Sequence, residues 1–433
     1  MNAAGSSPMA AETHAALIGH LELEQQMGGY AAANVISPDT AHEALAALLG
    51  SSADEIALAE SAQVAWAKAF YSLRFREGDR ILCFESDYAG NAVAFLQATR
   101  RAPVSLEIVP MRADGIIDIP ALQHALEKPI GGRTLVALQH CGSAESVVQP
   151  ARDVGQLCRR HGALFLLDAC QTVGQLPVDV DELQCDFLCG TGRKWLRGPR
   201  GTGFLYARRS VLESAGRDDE PGGPSLVGEP PMIDHTSVRW HGSHSARTHT
   251  ALRSLHSALT ASAALQVQWR SRGEYDLEPS AKRYEMWEAS AADRVGLGVA
   301  AEQCRAIGPS RIQQISRHLA KRLREGLAAV DGVAIRDAPE SFDESIAAAC
   351  GASRAAIVAM DSTGAGVSTQ VMHAALVEHK IAATLSSSFH TFDDGLWARQ
   401  KPVRFSPSYY NTEEEVDRVI AVVRGVVEEH RRV

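Results

Sequence analysis

From residue 80 onward, short apolar runs alternate with segments whose apolar positions recur at helical spacing. The runs at 80–84, 104–109, 134–139, 163–168, 187–189 and 203–207 read as buried strands. Between them, 89–100, 120–126 and 151–161 read as helices. Apolar strands separated by helices predict a mainly parallel sheet covered on both faces. Ligands of such sheets bind beyond the carboxyl ends of the strands. Ahead of this block, residues 10–50 read as helices broken at Gly28-Gly29 and at Ser37-Pro38-Asp39, with Asp39 placed to cap the helix at 41–49. Residues 53–73 also read as mostly helical.

The rhythm breaks at 218–256, a stretch rich in Gly, Pro, Ser and His that includes His235, His241, His244, His249 and His256. A loop over a site or a subunit surface is expected there, with solvated or substrate-facing histidines. Beyond it, 289–329 reads as long helices, followed by a strand at 357–361, a helix at 367–379 and a strand at 403–406. Thr412 with Glu415 three positions on has the pattern of a capping box for a last helix.

Composition narrows the class. The 433 residues, 45% hydrophobic and 22% charged, suit a soluble globular chain of two or three domains. A formal net charge of −9 argues against a general nucleic-acid surface. No apolar run approaches the roughly 20 residues of a membrane helix, and no basic stretch followed by an apolar core suggests a signal peptide. The eight cysteines form no CxxC pair, and several sit in apolar runs where cysteine acts as a small hydrophobe. Cys185 and Cys189 lack a matching His or Cys pair nearby, so no metal site is expected. The pattern fits a reducing cytoplasm.

The candidate chemistry lies between residues 164 and 206. An apolar run ends in Asp168, Gln171 follows, and Lys194 sits inside Thr191-Gly192-Arg193-Lys194. An acid at the end of a buried strand and a lysine on a small-residue turn suit pyridoxal phosphate chemistry. The lysine amine condenses with the cofactor's aldehyde, and the carboxylate keeps the pyridine nitrogen protonated so that the ring accepts electrons from the substrate's Cα.

Nearly the whole chain resembles the class V aminotransferase family, which includes cysteine desulfurases, isopenicillin-N-epimerase-like proteins and cysteine-conjugate C–S lyases. Asn2-Ala3-Ala4-Gly5 looks like the family's opening active-site loop. Gly28-Gly29-Tyr30, Asp87-Tyr88-Ala89-Gly90-Asn91 and Arg283-Tyr284-Glu285-Met286-Trp287-Glu288 look like the epimerase-like branch. The closing Val403-Arg404-Phe405-Ser406-Pro407-Ser408-Tyr409-Tyr410-Asn411 is a more specific match.

The resemblance implies the α/β architecture of PLP fold type I: a large domain with a mainly parallel seven-stranded sheet sandwiched by helices, and a smaller α+β C-terminal domain. It implies an N-terminal active-site segment at 1–30, a cofactor-binding domain at 31–288 and a small domain at 289–433. It also implies a homodimer whose subunits jointly build each site. By the same resemblance Lys194 carries the cofactor, Asp168 pairs with its ring nitrogen and Gln171 bonds its phenolic oxygen. Tyr88 stacks on the ring. Thr191, Arg193 and the turn Ser61-Ala62-Gln63 hold the phosphate, the last at a helix start that favours anions. Arg404 grips the substrate carboxylate, Asn2 closes over the substrate, and Arg283 and Trp287 are structural or cross-subunit residues.

Two departures from the family flank the cofactor face. The segment Cys141-Gly142-Ser143-Ala144-Glu145-Ser146 replaces the usual Asn or Thr, with Ser143 placed to supply the polar contact to the cofactor. The loop Leu385-Ser386-Ser387-Ser388-Phe389-His390-Thr391 also differs, which makes His390 a candidate substrate contact or proton carrier. Desulfurases need a nucleophilic cysteine before the arginine that matches Arg404, and residues 381–403 contain none. The expectation is therefore β-elimination from an S-substituted cysteine, as in C–S lyases of this branch. Decarboxylation-coupled oxidative deamination with dioxygen, as in a lincosamide-pathway relative acting on S-glycosyl-cysteine, is the first alternative. Transamination or epimerisation is the second.

Overall fold

The computed structural model describes residues 1–215, 226–233, 238–239, 268–271, 274–386, 392 and 401–432. The large sheet has seven strands: β1 (Ile56–Ala59), β2 (Arg80–Phe84), β3 (Ser105–Val109), β4 (Thr134–Gln139), β5 (Leu164–Asp168), β6 (Phe187–Thr191) and β7 (Gly203–Ala207). Their order across the sheet is β1-β7-β6-β5-β4-β2-β3. Neighbours from β3 to β6 run parallel, while β7 runs antiparallel to both β6 and β1. Being antiparallel to β7, β1 shares the direction of the other five. The carboxyl ends of β1, β2, β4, β5 and β6 therefore open on one edge.

Successive residues of each strand point to opposite faces, and both faces are buried. Leu82, Phe84, Val136, Leu138, Phe165 and Leu167 enter one core, and Ile81, Cys83, Leu135, Ala137, Leu166 and Phe187 enter the other. The first core continues without a break into a four-stranded antiparallel sheet, β8 (Ala334–Ile335), β9 (Val358–Asp361), β10 (Thr384–Leu385) and β11 (Val403–Phe405), ordered β8-β9-β11-β10. Val358, Met360, Val403 and Phe405 belong to it, as do Ala3 and Ala4 near the chain start.

Two sequence expectations give way here. Residues 56–59 form β1 rather than helix, because Ile56 to Ala59 pair with Tyr206 to Gly203 along β7; a four-residue apolar run takes its state from its partner. Asp39 stands at the N-cap position of the following helix (Thr40–Leu49), but its side chain makes no capping hydrogen bond. Its carboxylate faces Lys282 at 3.3 Å instead. The capping box at Thr412 and Glu415 is present in both directions.

Candidate active site

Each strand of the shared edge delivers part of the site. Helix α1 (Ala62–Tyr71) follows β1, and Ser61 caps it, its hydroxyl oxygen accepting from the Val64 N–H at 3.2 Å. The N–H groups of Ala62 and Gln63 lead this helix, which suits an anion. Gly90 lies against the Gln63 side chain and the Tyr88 ring. Tyr88 heads helix α2 (Ala89–Arg101) after β2 and is 43% exposed. Asp168 ends β5, and Thr191 ends the neighbouring β6, with Lys194 three residues on.

Asp168 is buried and forms no ion pair with any described residue. Its Oδ1 accepts from the Cys170 N–H at 3.0 Å and its Oδ2 from Asn91 Nδ2 at 3.2 Å. The second proton of Asn91 Nδ2 goes to Asp87 Oδ1 at 3.0 Å. Burial, together with the charge of Asp168, pushes the Asp87 carboxyl up to about 8, against the bonds from Asn91 and the Tyr88 N–H. The Lys194 ammonium has no hydrogen bond or ion pair with a described residue, and its charge reaches Cys141. Asp168, Cys170 and Cys189 each present an atom within 4.8 Å of the others. Burial first, then Cys170 and Asp168, holds the Cys189 thiol well above its ordinary value, which opposes the thiolate a metal needs.

Arg404, on β11, is 5% exposed and has no carboxylate partner among the described residues. Its Nη1 donates to the Ser143 carbonyl at 2.7 Å and its Nη2 to Asn2 Oδ1 at 3.1 Å, while Nε, also buried, has no partner. Burial, then the charge of Arg193, pushes its pKa down to about 10. A desolvated guanidinium held by neutral oxygens attracts an anion.

The chain's first residues strap this arrangement together. Ala3 N–H and Ala4 N–H donate to the carbonyl and hydroxyl of Ser406 at 3.1 and 2.9 Å. On the other side, Gln171 Nε2 donates to the Ala4 carbonyl at 3.1 Å, Arg193 to the Gly5 carbonyl, and Arg197 Nε to the Pro8 carbonyl at 3.0 Å. The Ser7 N–H answers with a bond to the Arg193 carbonyl at 2.9 Å. Arg197, at φ 60°, lays its guanidinium 4.5 Å from the Tyr410 ring centre, and Tyr410 donates to Ser7 Oγ at 3.1 Å. The loop after β4 is fastened similarly. Val147–Val148 pairs with Ser353–Arg354, and Ser146 exchanges backbone bonds of 2.6 Å with Asp337 and Ala355.

Asn2, Ser143 and Arg404 therefore meet at the C-terminal sheet, while Asp168 and Lys194 stand at and just beyond the carboxyl ends of β5 and β6. Several expected contacts are engaged elsewhere. Gln171 is buried with its Oε1 accepting from Trp195 Nε1 at 2.9 Å and its nitrogen on Ala4, so it braces the strap. The Thr191 hydroxyl donates to the Thr202 carbonyl at 3.0 Å, so its proton is not aimed at a phosphate. Arg193 is likewise turned to the strap. Ser143 meets Arg404 through its carbonyl rather than its hydroxyl. Arg283 is buried, donating to the carbonyls of Glu278 and Leu212 at 2.7 and 3.1 Å, and the Trp287 ring centre stands 6.2 Å from that of Tyr30. His390 and the histidines at 235, 241, 244, 249 and 256 lie outside the described residues. Sequence reading passed over Asn91 and Asp87 as individual residues. The available signal was a carboxylate just ahead of a helix start with an amide four positions on, in its first turn.

The family model for class-V aminotransferases matches residues 25–241. A probable cysteine desulfurase of Methanothermobacter thermautotrophicus is 26% identical over 302 residues, covering 70% of this chain and 64% of that protein, so the match spans under two thirds of that relative's length. Probable cysteine desulfurase 2 of Mycobacterium leprae is 28% identical over 399 residues, 88% of this chain and 78% of its own. The structure of the cystine C–S lyase C-DES in complex with its reaction product cysteine persulfide superposes with a TM-score of 0.73 at 19% identity, covering 98% of this chain and 96% of that one. At that identity the likeness is one of fold.

Proposed function

This chain belongs to the class-V aminotransferase family, and from that premise we propose that it is a pyridoxal-phosphate enzyme that cleaves the C–S bond of an S-substituted cysteine by β-elimination. The observation that carries the reading is the pairing of opposites at one edge. Among the described residues, Asp168 is a buried acid without a cation, Lys194 a lysine without an anion, and Arg404 a buried guanidinium without a carboxylate. A zwitterionic amino acid and a cofactor with a basic ring nitrogen and an aldehyde satisfy all three. That donor set fits pyridoxal phosphate, which supplies an electron sink for charge developing at the substrate's Cα.

The chain's own residues divide the work. Lys194 would hold the cofactor through its side-chain amine, and that amine is the group that would take the proton from the substrate's Cα. Asp168 keeps the ring nitrogen protonated, and Tyr88 covers the ring. The leading N–H groups of Ala62 and Gln63, with Ser61, face the phosphate. Arg404 receives the substrate carboxylate, and Asn2, already on its Nη2, closes that end.

Elimination is favoured over persulfide formation by the thiols. The nucleophile of a desulfurase must be a thiolate. Cys141, the cysteine that the Lys194 charge reaches, is held protonated by burial and Glu145, and residues 381–403 contain no cysteine. The substrate class, an S-substituted cysteine, and a homodimeric assembly belong to the same proposal.

The test is a product assay on the purified yellow protein with a panel of S-substituted cysteines, following pyruvate, thiol, carbon dioxide and oxygen together. Pyruvate and thiol in equal amounts without oxygen uptake support the lyase. Carbon dioxide release with oxygen consumption and an intact C–S bond replaces it with the decarboxylating deaminase. Keto acid formed only with a second amino acceptor replaces it with a transaminase, and loss of optical purity alone with an epimerase.

A further inference from the structure

We propose that Asn91 is a positioning residue for Asp168, anchored in turn by Asp87; this rests on the assignment of Asp168 to the cofactor's ring nitrogen. The three side chains are 1% (Asp87), 2% (Asn91) and 6% (Asp168) exposed. Asn91 Nδ2 has two protons and spends one on each acid, Asp87 Oδ1 at 3.0 Å and Asp168 Oδ2 at 3.2 Å. The reverse orientation of the amide would turn its oxygen toward two carboxyl oxygens, so the acids dictate which way it points. The cost is visible: Asn91 Oδ1 is buried without a hydrogen-bond partner among the described residues. An unmet buried acceptor is tolerated where the opposite end of the group is needed in one place.

The consequence is that both oxygens of Asp168 are pinned from different elements. Oδ1 is held by the N–H of Cys170, on its own chain segment beyond β5, and Oδ2 by the first turn of α2. Asp87 is itself fixed by the Tyr88 N–H at 2.6 Å, so the anchor does not drift. With Asp87 pushed up to about 8 by burial, a proton on that acid at neutral pH removes the repulsion that two shared carboxylates would suffer. A carboxylate held at both oxygens presents its remaining lone pairs in one direction, which the pairing with a ring N–H requires.

The experiment compares Asn91→Leu, Asp87→Asn and Asp87→Ala with the wild-type holoenzyme. The readouts are the visible absorption spectrum against pH, the rate of cofactor loss on dialysis, and kcat and KM separately. For Asn91→Leu the expectation is roughly tenfold faster cofactor loss, a kcat lower by roughly tenfold and a displaced spectral titration, the size of one hydrogen bond to a charged group. KM stays within about twofold because Arg404 is untouched. Asp87→Asn keeps an oxygen for Asn91 and stays within about threefold of wild type in kcat and cofactor loss. Asn91→Leu with wild-type spectrum, cofactor loss and kcat overturns the proposal. Should Asn91→Leu not fold, Asp87→Ala answers the same question, since it leaves Asn91 but removes its anchor: faster cofactor loss supports the proposal, and wild-type behaviour overturns it. A wild-type protein that purifies colourless and takes up no pyridoxal phosphate defeats the cofactor reading itself, which separates the two failures.

Discussion

Arg404 and Asn2 are 402 positions apart in the chain, yet Arg404 Nη2 donates to Asn2 Oδ1 at 3.1 Å. The bond joins the middle of the C-terminal sheet to the segment that crosses to Gln171, Arg193 and Arg197 on the large-sheet side. The guanidinium is thus oriented before any substrate arrives, by two neutral oxygens that leave its charge uncompensated. Replacing Arg404 with Ala is expected to lower kcat/KM by about a hundredfold, the cost of removing a buried, hydrogen-bonded charge from its partner. The loss should fall mostly on KM for the amino acid. Steady-state kinetics that leave KM unchanged assign the carboxylate to another residue.

Gly5 gives a gentler probe of the same strap. A Cβ there would stand 2.7 Å from Asn2 Oδ1 and 3.0 Å from Arg404 Nη2. Both atoms end flexible side chains, so Gly5→Ala is expected to fold while displacing the Arg404–Asn2 bond. The expected loss is about 1–2 kcal/mol of stability together with a raised KM. Denaturant unfolding beside kinetics checks it, and an unaltered KM separates the strap from substrate binding.

Lys194→Ala is expected to keep its circular dichroism and its melting behaviour, since the ammonium bonds no described residue. Covalent cofactor attachment should be lost, and turnover should fall by at least roughly a thousandfold. The visible band should disappear after gel filtration. Turnover at the wild-type rate removes Lys194 from the role given to it.

Asp87 makes stability depend on pH in a stated direction. Burial raises its folded pKa to about 8, well above an ordinary carboxylate. An acid with a raised folded pKa favours the fold while protonated. That contribution is whole below the ordinary carboxylate range and is lost as pH climbs through about 8. Asp87→Asn, neutral at every pH, should therefore gain on wild type as pH rises from about 5 to about 9, by a few kcal/mol at most, and the difference should level off above that. Urea unfolding at several pH values measures it. A difference independent of pH means that Asp87 is already ionised in the folded protein.

Asp168 and Lys194 were legible in the sequence because each is marked locally: one by the end of an apolar run, the other by a glycine-rich turn. Strands β2 to β7 were legible for the same reason. The errors fall where the deciding atoms are remote in sequence. β1 has no strand signal of its own and exists because β7 pairs with it. Other bonds hidden from the sequence are equally remote: the Gln171 amide meets Ala4 and Trp195, and the Thr191 hydroxyl meets the Thr202 carbonyl.

Hydrophobic periodicity and turn composition are properties of a few neighbouring residues, so the sequence by itself determined the alternating strands and the acid and lysine placed at their carboxyl ends. Side-chain hydrogen bonds depend on which surfaces the whole chain buries together. Only the tertiary structure therefore decided that Asn2 meets Arg404, that Asn91 divides its two protons between Asp87 and Asp168, and that Arg283 donates to the Leu212 carbonyl. A short polar side chain reaches about 3 Å, and which partner stands within that reach is settled by packing far from either residue.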